Sequence, residues 1–374
     1  MDTSRREFIR KGLMVGGGLL ALGGASEALA ACGGSSSPAT SEALTGPVNW
    51  LSFGSYHIPT IMNGFQSKYG PSVNAIDVED DSTAFLKLKQ GGGGTYDVGQ
   101  VDGFWPQICN QNHLIEPIDM AQLASTQSLA PQFQKFKPWL TSDGRMMQFP
   151  NAWSVEPIVA RKGVVPTFTS AWDLWDKKFR GRVIQMDRPE ETIAAIAVWL
   201  GYPKPFDLTD AQLGEVKKRL LDLKPNIKAF TASSGDFSKL MAAGEGDLGL
   251  ATSVGVVLRI KAAGGGDFSL IVPTEGTVGW VDGNMLVAGA AHRASALKWI
   301  DYYGSTESQV AQALAVKYPS ANEKAVKWLK DNGHDDWVTA MGMENWDVVE
   351  KMVELAPPSD DQKWLNVWNE FKAA

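Results

Sequence analysis

From residue 46 onward the chain alternates short apolar runs with amphipathic helical stretches, and this alternation restricts it to α/β architectures. Val48 to Phe53 reads as a strand. Ile58, Ile61, Met62 and Phe65 fall at i, i+3, i+4 and i+7, which predicts a helix over 59–69 with one buried stripe. Val73 to Val78 is a second strand, a helix over 82–90 stops at the run Gly91 to Gly94, and Tyr96 to Val101 is a third strand. The glycine run lacks a following Lys-Ser/Thr and precedes a strand, so it reads as a connection and not a phosphate loop. The same grammar returns later. Thr169 or Ser170 caps a short helix, Val183 to Met186 is a strand, and Pro189 opens a helix buried through Ile193, Ile196, Ala197 and Leu200 that ends at Gly201. Thr209 and Gln212 form a capping box for a helix that halts before Pro225. Leu248 to Ala251 and Leu270 to Val272 read as buried strands, and the chain is mostly helical from residue 293. No internal repeat is visible, which excludes solenoids and propellers. Two α/β units imply two lobes, with a ligand cleft beyond the carboxyl ends of their strands.

The N-terminal segment stands apart. Residues 1–11 carry four basic side chains, and the apolar run Leu13 to Leu22 is shorter than the about 20 residues a spanning helix needs. It has the length of a signal-peptide core, so residues 1–31 read as an export signal. Ser4-Arg5-Arg6-Glu7-Phe8-Ile9-Arg10 resembles a twin-arginine signal, and Leu29-Ala30-Ala31-Cys32-Gly33 resembles a bacterial lipobox with Cys32 as the lipidated residue. Simple cleavage after an Ala-x-Ala-like site is the alternative. Residues 32–46, rich in Gly, Ser, Pro and Thr, read as a flexible tether. Lipidation of Cys32 leaves Cys109 unpaired, since these are the 2 cysteines of the chain. Removing the segment takes the formal charge from −7 to −8, because it carries four basic and three acidic residues. A mildly acidic chain without a basic patch argues against a nucleic-acid partner.

A search for catalytic chemistry finds little. His57, His113, His292 and His334 lack metal-ligand spacing, and no cysteine pair accompanies them, so no metal site is expected. No Gly-x-Ser-x-Gly elbow or dinucleotide fingerprint occurs, and Ser233-Ser234-Gly235 has no evident base partner. No catalytic residue and no cofactor are expected. The doublets Asp80-Asp81, Asp335-Asp336 and Asp360-Asp361 read as solvated loops, and Tyr302-Tyr303 continues a helical pattern and reads as packing. The chain holds 14 tryptophans, several between expected elements, where an aromatic face can attract a cation. Trp153 follows a strand-like RMMQFP segment. Trp280 precedes Asp282 by two residues, and i and i+2 of an extended segment share a face, so ring and carboxylate could grip an ammonium group.

In their order and spacing, the segments FLKLKQGGGGTYDVGQV, AWDLWDKKFRGRV, LKPNIKAF, MAAGEGDLGLA, GWVDGNMLV and KYPSAN resemble the spermidine/putrescine-type periplasmic binding proteins of ABC importers. The resemblance runs from about Val48 to the C-terminal helices. It implies a type II, Venus-flytrap fold with crossing strands near residues 152 and 280 and a cleft between the lobes. Lobe one would comprise 47–152 plus 281–326, and lobe two 153–280 plus 327–374. It implies a monomeric periplasmic protein that closes on a small amine and delivers it to an inner-membrane ABC permease, and the lipobox-like segment at Cys32 would add a lipid anchor to the membrane.

The family's ligand contacts fall on Trp280, Asp282, Tyr318 and Glu191 of this chain. Departures accompany them. A family aspartate falls on Arg188, the N-terminal contact segment falls on Gly54-Ser55-Tyr56-His57, a serine falls on Asp102 with Phe104 two residues on, and a tryptophan falls near Thr252. A linear polyamine needs a carboxylate at each ammonium, because a buried unpaired charge is costly. Glu191, Asp282 and Asp102 can serve two ammonium groups. Arg188 would oppose them unless it pairs with Glu191 or points away. Otherwise its planar fork receives the acid group of a zwitterion such as an amino acid, opine or aminophosphonate. An exported enzyme, or a chemoreceptor-coupled sensor on the same fold, stands as the alternative of another class.

Overall fold

The computed structural model describes residues 43–250 and 253–374. The signal, Cys32, most of the tether, and Thr252 lie outside the described residues.

Eleven strands divide between two sheets. Sheet one takes β1 (Val48–Phe53), β2 (Val73–Val78), β3 (Val98–Val101), β4 (Phe149–Val155), β10 (Thr277–Leu286) and β11 (Met352–Glu354). Its order is β11-β10-β3-β1-β2, with β4 added to β10. Strands β1, β2 and β3 run parallel to one another, and β10 enters antiparallel to β3 and β4. Sheet two takes β5 (Ile158–Arg161), β6 (Val183–Met186), β7 (Ile227–Thr231), β8 (Leu248–Leu250) and β9 (Phe268–Ile271), in the order β7-β6-β8-β5-β9. The chain leaves sheet one through β4 and returns through β10, and these two strands pair with each other, Val281 opposite Trp153. This is the two-lobed α/β arrangement with crossings near 152 and 280.

Local chemistry explains most boundaries. Helix α1 (Pro59–Tyr69) starts on a proline, whose fixed φ suits a first turn, and buries Ile61 and Phe65. In α2 (Asp81–Gly91) the Asp80 side chain caps the Thr83 N–H, so the helix begins one residue before the expected 82. The third strand starts at Val98 and not Tyr96, because Tyr96 N–H bonds back to Gly92 O and closes a turn. Helix α3 (Pro189–Trp199) and helix α4 (Asp210–Leu223) match expectation, the latter with the complete Thr209–Gln212 capping box. Strand β9 sits two residues earlier than expected at its start. The C-terminal region is helical in α6 (Arg293–Tyr303), α7 (Thr306–Val316) and α8 (Asp361–Ala373), but β11 interrupts it. A helix α5 (Val256–Ala262) precedes β9.

The tryptophans are largely structural. Trp50, Phe65, Trp299 and Tyr303 interlock behind sheet one, with Trp299 5.2 Å from both Trp50 and Phe65. Trp172, Trp175 and Trp199 cluster against sheet two. Tyr302 and Tyr303 pack in this core as their helical spacing suggests, with the Tyr303 hydroxyl donating to Tyr56 O at 3.3 Å. No helix of the described residues is long and apolar enough to cross a membrane.

Candidate functional site

Every residue of β10 is buried, and its pleat puts Trp280 and Asp282 on one face. Trp280 meets Tyr318 edge to face at 4.9 Å. The Tyr56 hydroxyl donates a short hydrogen bond to Asp282 Oδ2, which brings the N-terminal turn (Gly54–Tyr56) against β10. Burial pushes the Asp282 carboxyl up to about 8, with Tyr56 pulling it back down and Asp81 pushing it further up.

Three more carboxyls converge there. Asp102 leaves the end of β3, and its backbone N–H donates to Asp81 Oδ1 at 2.9 Å. Gly103 follows at φ +50°, where an added Cβ would stand 2.2 Å from Leu355 O, so only glycine lets the β3 exit lie against the β11 exit. Phe104 N–H bonds Leu355 O at 2.9 Å, and Phe104 itself is half-buried. The close approach sets Glu354 beside Asp102. Glu354 is 8 % exposed, and neither carboxylate oxygen has a partner among the described residues. Burial raises Asp102 well above the ordinary range, and Asp81, Asp282 and Glu354 raise it further. Asp81 is raised to about 6, again by burial, and Glu354 well above its usual value for the same reason. Among the described residues none of the four forms an ion pair.

The acidic doublets therefore need correction. Asp80 and Asp360 are helix caps, and Asp335 and Asp336 open a helical turn. Asp81 is not a solvated loop residue: the first turn of α2 faces the end of β3, where its carboxylate captures the Asp102 N–H.

A second acidic group lies at sheet two. Glu191 in the first turn of α3, Arg188 at its N-cap and Glu156 between β4 and β5 line one cavity with Gln185. Burial pushes Glu156 well up, then Glu191 adds to it, while Arg188 opposes. Glu191 is likewise raised by burial and lowered by Arg188. Arg188 is solvent-exposed, yet it acts on both carboxyls. Tyr318 is within electrostatic reach of both groups, since burial raises its pKa first, Asp282 and Glu156 raise it further and Arg259 lowers it. Arg259 of α5 donates to Ser253 Oγ at 2.9 Å, and its Nε is buried without a partner among the described residues.

Of the expected contacts, Trp280, Asp282, Tyr318, Tyr56 and Asp102 are thus brought together, with Phe104 beside them, while Glu191 and Arg188 form the second group. Trp153 is on the other face of the ribbon. It stands opposite Val281 in the register, so it faces away from Trp280 and Asp282. There it packs on Phe133 and Trp346 and lines a separate cavity of about 600 Å³. His57 turns to β1, with Nε2 2.8 Å from Ser52 Oγ, and burial lowers its pKa. Ser55 is exposed. Asp81, Glu354, Glu156, Gln185 and Arg259 were not singled out from the sequence. The available signal was a lone carboxylate in an apolar buried run, as in NAWSVEPIVA and KMVELA. Cys109 is a free buried thiol, pushed up to about 12 by burial and then by Asp81. The described residues contain no group of three His, Cys, Asp or Glu arranged to hold a metal.

Comparison with known proteins agrees with this fold. The spermidine/putrescine-binding periplasmic protein of Escherichia coli strain K12 is 26% identical over 296 residues, 77% of this chain and 80% of its own length. The substrate-binding protein PotD of a spermidine/putrescine ABC transporter from Streptococcus pneumoniae, solved with calcium and HEPES, superposes with a TM-score of 0.69 at 21% identity, covering 88% of this chain and 98% of that one. MotA from A. tumefaciens B6, solved with glucopine, gives a TM-score of 0.58 at 19% identity over 87% of this chain and 99% of its own. These relatives are binding proteins and not enzymes. The family model of the bacterial extracellular solute-binding proteins matches residues 60–341, well over half of the sequence, and the chain belongs to that family.

Proposed function

We propose that the chain captures a linear diamine or polyamine of the putrescine and spermidine kind for an ABC importer, by closure of its lobes around the ligand. The observation that carries this reading is the convergence of Asp81, Asp102, Asp282 and Glu354, four buried carboxyls without an ion-pair partner among the described residues. An ammonium group supplies the missing charge. Trp280 and Tyr318 would wall the alkyl chain, and Glu156 and Glu191 would receive the far end. Contacts from both lobes would favour the closed form by their differential affinity. The names of the Escherichia coli and Streptococcus pneumoniae relatives support the same solute class. On this reading the protein would work in the periplasm as a monomer, tethered through a lipidated Cys32 and serving an inner-membrane permease. Fatty-acid labelling that persists in Cys32→Ala would rule out that anchor.

A second reading is an amine-bearing zwitterion such as an amino acid, opine or aminophosphonate. Arg188 at the mouth of the second group and the Nε of Arg259, without a partner among the described residues, favour it, and a structural neighbour was solved in complex with glucopine. A thermal-shift screen of the full chain against putrescine, spermidine, amino acids and aminophosphonates separates the two. Stabilisation by the polyamines, abolished in Asp282→Ala, is the expected result. Stabilisation by zwitterions alone, lost in Arg188→Ala, sinks the polyamine reading.

A further inference from the structure

The cavity at the amino end of α3 is small, about 20 Å³. A water needs roughly 10–15 Å³ of such space, and an ammonium head group is of similar size. Three of its lining side chains each have an oxygen that is buried and has no hydrogen-bond partner among the described residues: Glu156 Oε1, Gln185 Oε1 and Glu191 Oε2. The orientation of the Gln185 amide follows from its bonds, since Nε2 donates to Met186 O at 2.8 Å and to Thr192 Oγ1 at 3.0 Å, leaving Oε1 as the free acceptor among the described residues. Gln185 is 1 % exposed and Glu156 7 %. Ala195, Trp199 and Leu250 complete the wall with apolar surface.

Resting on the amine reading above, we infer that Glu156, Gln185 and Glu191 form a seat for one primary ammonium group, and that Glu156 sets its selectivity. A primary ammonium has three N–H donors, one for each orphan acceptor, whereas a water has two and leaves one acceptor bare. The charges agree as well. Two ionised carboxylates beside the Arg188 guanidinium leave one negative charge, which one ammonium neutralises. Glu156 supplies the carboxylate that Arg188 cannot, so the arginine does not forbid a cation here. Methylation of the amine removes donors and adds volume that the cavity does not have. The seat therefore selects an unsubstituted amine end over a tertiary or quaternary one.

Calorimetry on the full chain tests this with putrescine and with putrescine carrying a trimethylated nitrogen at one end and at both ends. Wild type should bind putrescine at least about tenfold more tightly than the doubly methylated compound. Glu156→Gln should weaken putrescine by about tenfold to a hundredfold, the range for a hydrogen bond to a charged group. The same change should narrow the preference for the free amine, with ligand-free melting unchanged or raised, because a buried carboxyl has been neutralised. If wild type binds putrescine and Glu156→Gln matches it within about twofold, the seat is wrong and the amine reading stands. Equal binding of the doubly methylated compound by wild type overturns the seat without any variant. Failure of wild type to bind any primary amine removes the amine reading, and the seat with it.

Discussion

The acidic group at sheet one and the acidic group at sheet two differ in what offsets their charge. Asp81, Asp102, Asp282 and Glu354 have one another and the Tyr56 hydroxyl for company, and burial raises all four, with Asp282 pushed up to about 8. Glu156 and Glu191 share their environment with Arg188, which pulls both down against burial. Two ways of keeping a carboxyl in a low-dielectric site are thus present in one molecule. A proton does it at sheet one, and a guanidinium helps to do it at sheet two. The first should make binding sensitive to pH, and the second should make it sensitive to the charge of the far end of the ligand.

The largest expected effect is from Asp282→Asn. Removing one partner of a buried charge pair costs about 3–5 kcal/mol, so affinity for putrescine should fall more than a hundredfold in calorimetry. The ligand-free protein should melt higher at pH 8, because the variant has no carboxyl to ionise at position 282. A loss smaller than that of Glu191→Gln would break the comparison. Next comes pH. The Asp282 carboxyl is at about 8 in the folded protein against an ordinary 3.8, so between these values the native state holds a proton that the unfolded chain has released. Ligand-free stability should therefore fall as pH rises through that window, by about 1.4 kcal/mol per unit where the difference is one proton. Binding of a cation displaces the proton, so affinity should drop about tenfold per unit as pH is lowered from 8 to 6. A flat profile would mean that Asp282 is ionised without ligand.

Gly103→Ala comes third, with a cost of about 1–3 kcal/mol from a left-handed φ and the contact with Leu355 O. Chemical denaturation should show that loss, and weaker binding should come from sheet one alone, leaving the effect of Glu156→Gln additive to it. The smallest effect is expected of Arg188→Ala. As an exposed cation it should lower polyamine affinity by no more than about threefold or raise it, and a larger loss would favour the zwitterion.

What the sequence made legible follows from local rules. Pro189, the Thr209–Gln212 box and the stripe through Ile61 and Phe65 are read within a turn or two of chain, and the elements they mark fall where expected. The pairing of Trp280 with Asp282 is equally local, since it needs only the period of a strand. The face of Trp153 was not legible in this way. Its face depends on the β4–β10 register, which links residues more than a hundred positions apart. Asp81 and Glu354 were hidden for a related reason: each looks polar or isolated in its own segment, and only the exit of β3 at Gly103, passing close to Leu355, makes them neighbours. Chemistry assembled from four separate elements leaves no spacing to read.

The chain enters and leaves sheet two through adjacent strands, with Val155 opposite Gly279. Residues 156–278 are therefore a cassette whose two ends lie side by side, and such a piece can be exchanged between relatives across two neighbouring seams. Helix α8 adds a condition. It returns to this cassette, where Trp368 Nε1 donates to Asp187 at 2.5 Å and Lys372 pairs with Asp187 at 2.8 Å. A chimera that moves the cassette without residues 361–373 would expose the face that α8 covers, so an inherited change of solute has to carry two pieces of the gene and not one.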